Sequence, residues 1–146
     1  MASFYGKGLP VNQEFERCLE SKKIVPFANG KNLVKKEVLV AGSDLSDARA
    51  GYGNERYKWA TIQAYYAMFH AARALIYSKG YREKGHYCVA VALRSLFVDE
   101  GTMDAQSVRD LLSAMHLRDR QGTRGPGQRG TLAGHRSGHR GGGRRG

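Results

Sequence analysis

Cysteine is scarce in this chain of 146 residues, which holds only Cys18 and Cys88. Each lies within an amphipathic pattern, and this favours buried free thiols in a reducing cytosol over a disulfide. The N-terminal residues lack the continuous apolar core of a signal peptide, and no run approaches the roughly 20 apolar residues of a membrane span. We therefore expect a cytoplasmic protein that does not enter a membrane.

Other patterns are missing as well. No alternating run rich in Val, Ile or Thr predicts a sheet. The only histidines at a spacing typical of zinc ligands, His135 and His139, fall in a segment that we expect to be disordered. The glycines are not part of a phosphate loop or a dinucleotide-binding pattern. The sequence therefore predicts no metal site and no cofactor.

The most informative stretch that is present runs from Trp59 to Tyr77, WATIQAYYAMFHAARALIY. On a helix, five alanines form one line, which would let a second helix approach closely: Ala60, Ala64, Ala67, Ala71 and Ala74. A second apolar band holds Ile62, Phe69, Ala72 and Ile76. A helix with two apolar sides is covered by neighbours on both, so this segment is predicted to be the central helix of a bundle.

The remaining helices follow from apolar periodicity and from stop signals. We predict a short helix from an Asn12 cap, a second helix over residues 31–50, the central helix over about 55–79, a fourth over 86–98, and a fifth that Asp104 caps. Residues 51–54 are predicted to be a turn, and Gly80 is the expected left-handed stop. The links are short, so the predicted fold is all-α: an antiparallel, up-and-down bundle of four to five helices.

The C-terminal residues differ in composition from the rest. The net charge is +11, and residues 118–146, with eight Arg and one Asp, carry +7 of it. Ten of the 19 glycines also lie there, and almost no apolar residue does. Such a segment cannot bury enough surface to offset its ordering entropy, so residues 118–146 are predicted to be a disordered Gly/Arg-rich tail after a helical body of residues 1–117. Two origins stay open: a nucleic-acid-binding arm, or an out-of-frame translation product.

A polar row separates the two apolar sides of the central helix. It contains Tyr66, His70 and Arg73, which share one face at i, i+4 and i+7, with Gln63 and Tyr77 extending it. Histidine beside arginine could relay a proton and bind a ligand, so Tyr66, His70 and Arg73 are candidate binding residues. The alternative is a structural seam of satisfied polar groups inside the bundle.

The run AYYAMFHAARALIYSKG, within residues 58–97, closely resembles the HEPN-domain proteins, and in particular short stand-alone members with a YYAMFHAARALL-type helix. Weaker agreement extends the resemblance to about residues 12–118. It implies a helical bundle that is usually a homodimer. It further implies a small nucleotidyltransferase partner, RNA or a nucleotide as ligand, and a role in a toxin–antitoxin-like pair.

Catalytic members of that superfamily are metal-independent endoribonucleases that use an Arg, a polar neighbour and a His after four to six residues. Arg109 and His116, with Asp110, fit this spacing and are the candidate catalytic pair. Arg82 and His86 have only three residues between them and are retained as candidate binding residues. Related short members place an arginine within an LRxxADY-like run, which here reads LRDRQGT from residue 117.

Three functions are compatible with this sequence. The first is a nucleotide- or RNA-associated HEPN-type module of a toxin–antitoxin-like pair, with weak or no activity of its own. The second is a working endoribonuclease toxin that uses Arg109 and His116. The third is a non-enzymatic interaction bundle in which the polar row has only a structural role.

Overall fold

The computed structural model describes the backbone of residues 4–5 and 9–123, and the side chains of residues 13–121. The helices in this part of the chain are α1 (Val11–Glu20), α2 (Gly30–Gly53), α3 (Tyr57–Ser78), α4 (His86–Leu93), which continues as a π-helical turn (Arg94–Val98), and α5 (Ala105–Thr123). The all-α prediction with a central helix is confirmed. No helix in the part of the chain that the structure describes is both long enough and apolar enough to cross a membrane.

Helices α2 and α3 form an antiparallel hairpin at very close approach. A Cβ at Gly30 would lie 3.0 Å from the Tyr77 carbonyl oxygen, so only glycine fits where the start of α2 meets the end of α3. At the other end, a Cβ at Gly51 would lie 3.5 Å from the Ala60 methyl group. The predicted alanine line provides part of this contact: Ala60, Ala67 and Ala74 are buried, whereas Ala71 is exposed.

The opposite side of α3 faces the hydrophobic core. Tyr65, Phe69, Ala72 and Ile76 are all at most 4% exposed. They pack against α4, which is buried along its whole length from Cys88 to Leu93, and against α1 and α5. The prediction that α3 is covered on two sides is therefore confirmed for its central turns.

The large apolar residues of α2 do not form its buried side. Val38 and Leu45 are 55% and 42% exposed. The residue buried there is Glu37, at 7% exposure. The close packing of α2 on α3 selects the side of α2 that carries Glu37, Ala48 and the two glycines, because the larger apolar side chains would hold the helix axes apart.

Several helix boundaries also differ from the predicted ones. α1 begins at Val11, one residue before the predicted Asn12 cap. α2 continues through Gly53, across the predicted turn, and the chain reverses only at Glu55, whose φ is 59°. Gly80 has the expected left-handed conformation, at φ 81°, and Asp104 accepts a hydrogen bond from the Gln106 backbone N–H at 2.9 Å, as expected for a cap.

Two short antiparallel ribbons are present that no sequence pattern indicated. One pairs β1 (Phe4–Tyr5) with β2 (Leu9–Pro10). The other pairs β3 (Ile24–Pro26) with β4 (Tyr81–Glu83), in the register Ile24 opposite Glu83. Strands of two or three residues are too short to show alternation, so they could not be predicted. The second ribbon fixes the link after α3 and so positions Glu83.

Residues 118–123 were assigned to the tail by composition, but they form the last turns of α5. Residues 124–146, which contain the rest of the predicted Gly/Arg-rich tail as well as His135 and His139, lie outside the described residues.

The expectation of free thiols is wrong. Cys18 of α1 and Cys88 of α4 form a disulfide, with their Cα atoms 5.9 Å apart. Both side chains are 5% exposed, as predicted for buried cysteines, but the packing of α1 on α4 brings them together. Seventy residues separate them in sequence, and amphipathic patterns do not indicate which helices become neighbours.

Reduction of this disulfide should lower the free energy of unfolding by about 2–4 kcal/mol, because the cross-link restricts the unfolded chain across a long loop. Urea denaturation with and without dithiothreitol measures the loss. The control is the C18A/C88A double variant, whose stability should not respond to dithiothreitol. A wild-type protein that is equally stable in both conditions, with two titratable thiols, would contradict the cross-link.

Candidate functional site

A network of charged side chains joins α2, α3 and β4 along the predicted polar row. His70 Nδ1 lies 2.6 Å from Glu37 Oε2, and His70 Nε2 lies 3.8 Å from an oxygen of Asp44. Arg73 donates from Nε to Glu83 Oε1 at 2.8 Å, and its other nitrogens lie 2.6 Å from the same oxygen and 3.9 Å from Glu37. The carboxylates of Glu37 and Glu83 are almost fully buried, at 9% and 6% side-chain exposure. Here both cations of the polar row have anionic partners.

This network has the geometry of a structural seam. A buried carboxylate is tolerated only when it is paired and hydrogen-bonded, and each of the two acids has such a partner. Glu37 and Glu83 were not predicted as buried, because an isolated acidic residue, in a helix like Glu37 or in a short strand like Glu83, is usually exposed. The available signal was the position of Glu37 on the side of α2 that also carries Gly30 and Gly51.

A second group of residues lies beside this network and includes side chains from three helices. The Tyr65 hydroxyl is 3.1 Å from His86 Nδ1 at the start of α4, and the Phe69 and His86 ring centroids are 4.7 Å apart. Arg118, near the end of α5, lies over the Tyr65 ring with its Cζ 4.5 Å from the centroid. Arg73 lies in the same way over Phe69, at 4.7 Å. We call His86, Arg73 and Arg118 the cationic cluster.

The electrostatics of the cationic cluster depend on the aromatic rings beneath it. Burial raises the pKa of Tyr65 above its usual value, although Arg118 and Arg73 act in the opposite direction. Tyr65 therefore stays neutral at physiological pH, and its hydroxyl can donate to His86 Nδ1, leaving Nε2 directed elsewhere. The pKa of Arg118 is raised: burial alone would lower it, but hydrogen bonds to Asp119 and Tyr66 outweigh that effect.

The arrangement is suited to binding a phosphate group. Arg73 uses Nε and Nη2 to bond Glu83, and Arg118 uses the same two nitrogens to bond Asp119, so a phosphate would meet the Nη1 side of each guanidinium group. The carboxylates and the aromatic rings beneath hold both groups in place before a ligand arrives. His86 and Tyr66 are exposed at the surface, so the cluster is open to solvent. Of the predicted binding residues, Tyr66, Arg73 and His86 lie in or beside this cluster. His70 lies in the seam, and Arg82 stacks on Phe27 at 5.5 Å instead.

The predicted catalytic pair lies apart from the cluster. Arg109 and His116 are both exposed on α5, two turns apart, which is about 10 Å along the helix axis. The Arg109 guanidinium donates to Gln106 Oε1 at 2.8 and 3.1 Å. Among the described residues, no hydrogen bond or ion pair joins Arg109 to His116. Nor do any three His, Cys, Asp or Glu side chains in this part of the chain form a group that could hold a metal ion.

Comparison with known proteins identifies the family of this chain. The HEPN domain model matches residues 37–124, more than half of the chain, and the match contains α3, α4, α5 and the whole cationic cluster. The chain belongs to the HEPN domain family. Because the match extends to residue 124, it includes the turns of α5 that carry Arg118.

One relative of this HEPN protein is a protein of Methanocaldococcus jannaschii that is named a "putative toxin". The two are 34% identical over 79 residues, which is 54% of this chain and 59% of the relative. The match thus spans little more than half of the relative's length. No solved structure gives a significant match.

The seam should be essential for stability. Glu37→Ala removes the acceptor of His70 and one partner of Arg73, so it should lower the free energy of unfolding by about 1–3 kcal/mol. Chemical denaturation measures the effect. Glu16→Ala, which removes an exposed carboxylate from α1, is the matched control and should change stability by less than about 0.5 kcal/mol. Equal effects of the two substitutions would contradict a structural role for the network.

Proposed function

We propose that this HEPN protein is an RNA-associated module of a toxin–antitoxin-like pair, that it binds RNA phosphate at the cationic cluster, and that it has weak or no ribonuclease activity. The observation that supports this most strongly is the convergence of Arg73, His86 and Arg118, from three different helices, on the rings of Tyr65 and Phe69. A phosphate carries the negative charge and the several acceptor oxygens that suit two guanidinium groups held close together.

The relative supports the toxin-like context of this proposal. It is 34% identical to this chain over 79 residues, and it is named a "putative toxin". A small nucleotidyltransferase partner belongs to the same proposal, as does a cytoplasmic location. The partner follows from the family resemblance, whereas the location follows from the patterns that the sequence lacks.

Weak or absent cleavage is proposed because the Arg109 guanidinium, which would have to hold the phosphate, is bonded to Gln106 Oε1 by two of its nitrogens. General acid–base catalysis needs the histidine within hydrogen-bond reach of the reacting oxygen, while the arginine holds the same phosphate. Arg109 is directed to Gln106, and His116 lies two turns further along the exposed side of α5.

RNA binding by the full chain should depend on Arg118. Arg118→Ala should weaken binding of a labelled single-stranded RNA by about tenfold or more, the value of one or two charge-assisted hydrogen bonds, as measured by fluorescence anisotropy. Arg109→Ala is the matched control, since it removes an exposed arginine from the same helix and leaves the tail unchanged. If both variants bind RNA equally weakly, affinity depends on net charge alone, and the proposed phosphate binding at the cationic cluster is refuted.

The same samples test cleavage. Incubation with RNA in EDTA should give no products or very slow cleavage. Rapid metal-independent cleavage that His116→Ala abolishes would instead establish the endoribonuclease that uses Arg109 and His116.

We also propose that the protein is a homodimer and that α2 contributes to the interface. Val38, Leu45 and Tyr52 are 55%, 42% and 69% exposed and recur every seven residues, so they form one apolar row on the outer side of α2. Contiguous exposed apolar surface of this kind is typical of association sites.

Leu45→Glu should therefore shift the protein from dimer towards monomer in sedimentation velocity, because it places a charge within the row. Leu117→Glu is the control: Leu117 is 43% exposed, almost the same as Leu45, but lies on α5. A wild-type monomer, or a dimer that Leu117→Glu alone disrupts, would refute an interface on α2.

A further inference from the structure

A cleft lies between the end of α2 and the start of α3, on the same side of the hairpin as the polar row. Its volume is about 470 Å³, within the range of small-molecule sites. Seven residues line it: Asp47, Ala50, Gly51, Asn54, Arg56, Trp59 and Gln63. None of these seven residues belongs to the seam or to the cationic cluster. Together they combine one large aromatic ring with several polar groups.

Trp59 is the main feature of the cleft. It is the only tryptophan in the chain, and it is 60% exposed although it is the largest apolar side chain present. The Lys58 ammonium group lies 5.7 Å from the centroid of its ring. An exposed aromatic surface beside cations is the combination with which proteins bind unpaired bases: the ring stacks on a base, and the cations neutralise the phosphate next to it.

The polar lining of the cleft is rich in hydrogen-bond acceptors. The Asp47 carboxylate can only accept. The Asn54 Nδ2 group donates to the Ala50 carbonyl at 3.0 Å, which fixes the side-chain amide so that its oxygen can accept a hydrogen bond from a ligand. Acceptors select bases that present N–H donors on their edge. Guanine presents two adjacent donor groups, whereas uracil has no exocyclic amino group.

The cleft is also placed next to the cationic cluster. Trp59 and Tyr66 are seven residues apart and therefore share one face of α3, about 10 Å apart along the helix axis. The Tyr66 ring adjoins the ring of Tyr65, over which Arg118 lies, with the two ring centroids 5.4 Å apart. A single strand with its phosphates at the cationic cluster could therefore reach the cleft within a few nucleotides.

We propose that this cleft is a base-binding subsite for single-stranded RNA, selective for guanine over uracil, an inference that rests on the proposed RNA-binding function. Trp59 stacks on an unpaired base. Asp47 and Asn54 accept hydrogen bonds from the amino edge of that base. Arg56 and Lys58 lie beside the phosphate that follows.

The single tryptophan makes the subsite directly measurable in the full chain. Titration with guanosine monophosphate should quench Trp59 fluorescence, and uridine monophosphate should require at least about a fivefold higher concentration for the same effect. Asp47→Asn should remove this difference, because an amide can donate to uracil as well as accept from guanine. Equal quenching by both nucleotides would overturn the selectivity for guanine.

Oligonucleotides separate the subsite from the cationic cluster. A short single strand with one guanine should bind more tightly than a strand of the same length without bases, by about 5- to 150-fold, the range expected for one stacked base. Trp59→Ala should remove this advantage and leave binding of the strand without bases unchanged. Tyr57→Ala is the matched control, since Tyr57 is a similarly exposed ring at the same end of α3 that lines the groove on the opposite side of the hairpin.

The outcomes distinguish the two proposals. If wild-type protein binds RNA, Arg118→Ala weakens it and Trp59→Ala does not, the subsite is refuted while the proposed function stands. If wild-type protein binds no RNA but guanosine monophosphate quenches Trp59, the cleft is a nucleotide site and the RNA-binding function is refuted. If neither ligand binds, both proposals fail.

Discussion

The close approach of α2 to α3 is the constraint on which the rest of this structure depends. At one end of the hairpin a Cβ at Gly30 would lie 3.0 Å from the Tyr77 carbonyl oxygen, and at the other end a Cβ at Gly51 would lie 3.5 Å from Ala60. Small residues at both ends let the two helices pack almost backbone to backbone. The cost is that the larger apolar residues of α2 cannot face α3, so they form an exposed row, and Glu37 becomes buried in their place.

Burial of Glu37 affects the orientation of residues on other helices and strands. The carboxylate must be paired, and His70 and Arg73 supply the partners. The β3–β4 ribbon brings Glu83 to the same arginine. Held between two acids, Arg73 lies over Phe69 with its Cζ 4.7 Å from the ring centroid, and this ring also contacts His86. The structural seam thus orients one member of the cationic cluster. A network that stabilises the bundle and a surface that can bind phosphate share one arginine.

Part of the candidate site could be predicted from the sequence, and part could not. Tyr66, His70 and Arg73 were found because three residues on one helix keep a fixed angular relation whatever the helix packs against. His86 was found only through the family resemblance. Arg109 and His116 satisfy a spacing rule on α5, but the structure directs Arg109 to Gln106. Tyr65 and Arg118 meet through the packing of α5 on α3, and spacing along the chain carries no information about a contact between side chains so far apart in sequence.

The sequence by itself determined the all-α class, the central position of α3, the two covered sides of that helix, and the stop at Gly80, because helical periodicity and left-handed glycines are local properties. Only the tertiary structure decided which side of α2 is buried, that Cys18 and Cys88 are paired, and that Arg73, His86 and Arg118 meet at two aromatic rings. These features depend on which helices become neighbours. Which helices become neighbours depends on side-chain volumes and on how closely backbones can approach across the whole bundle. The sequence of a single segment does not contain this information.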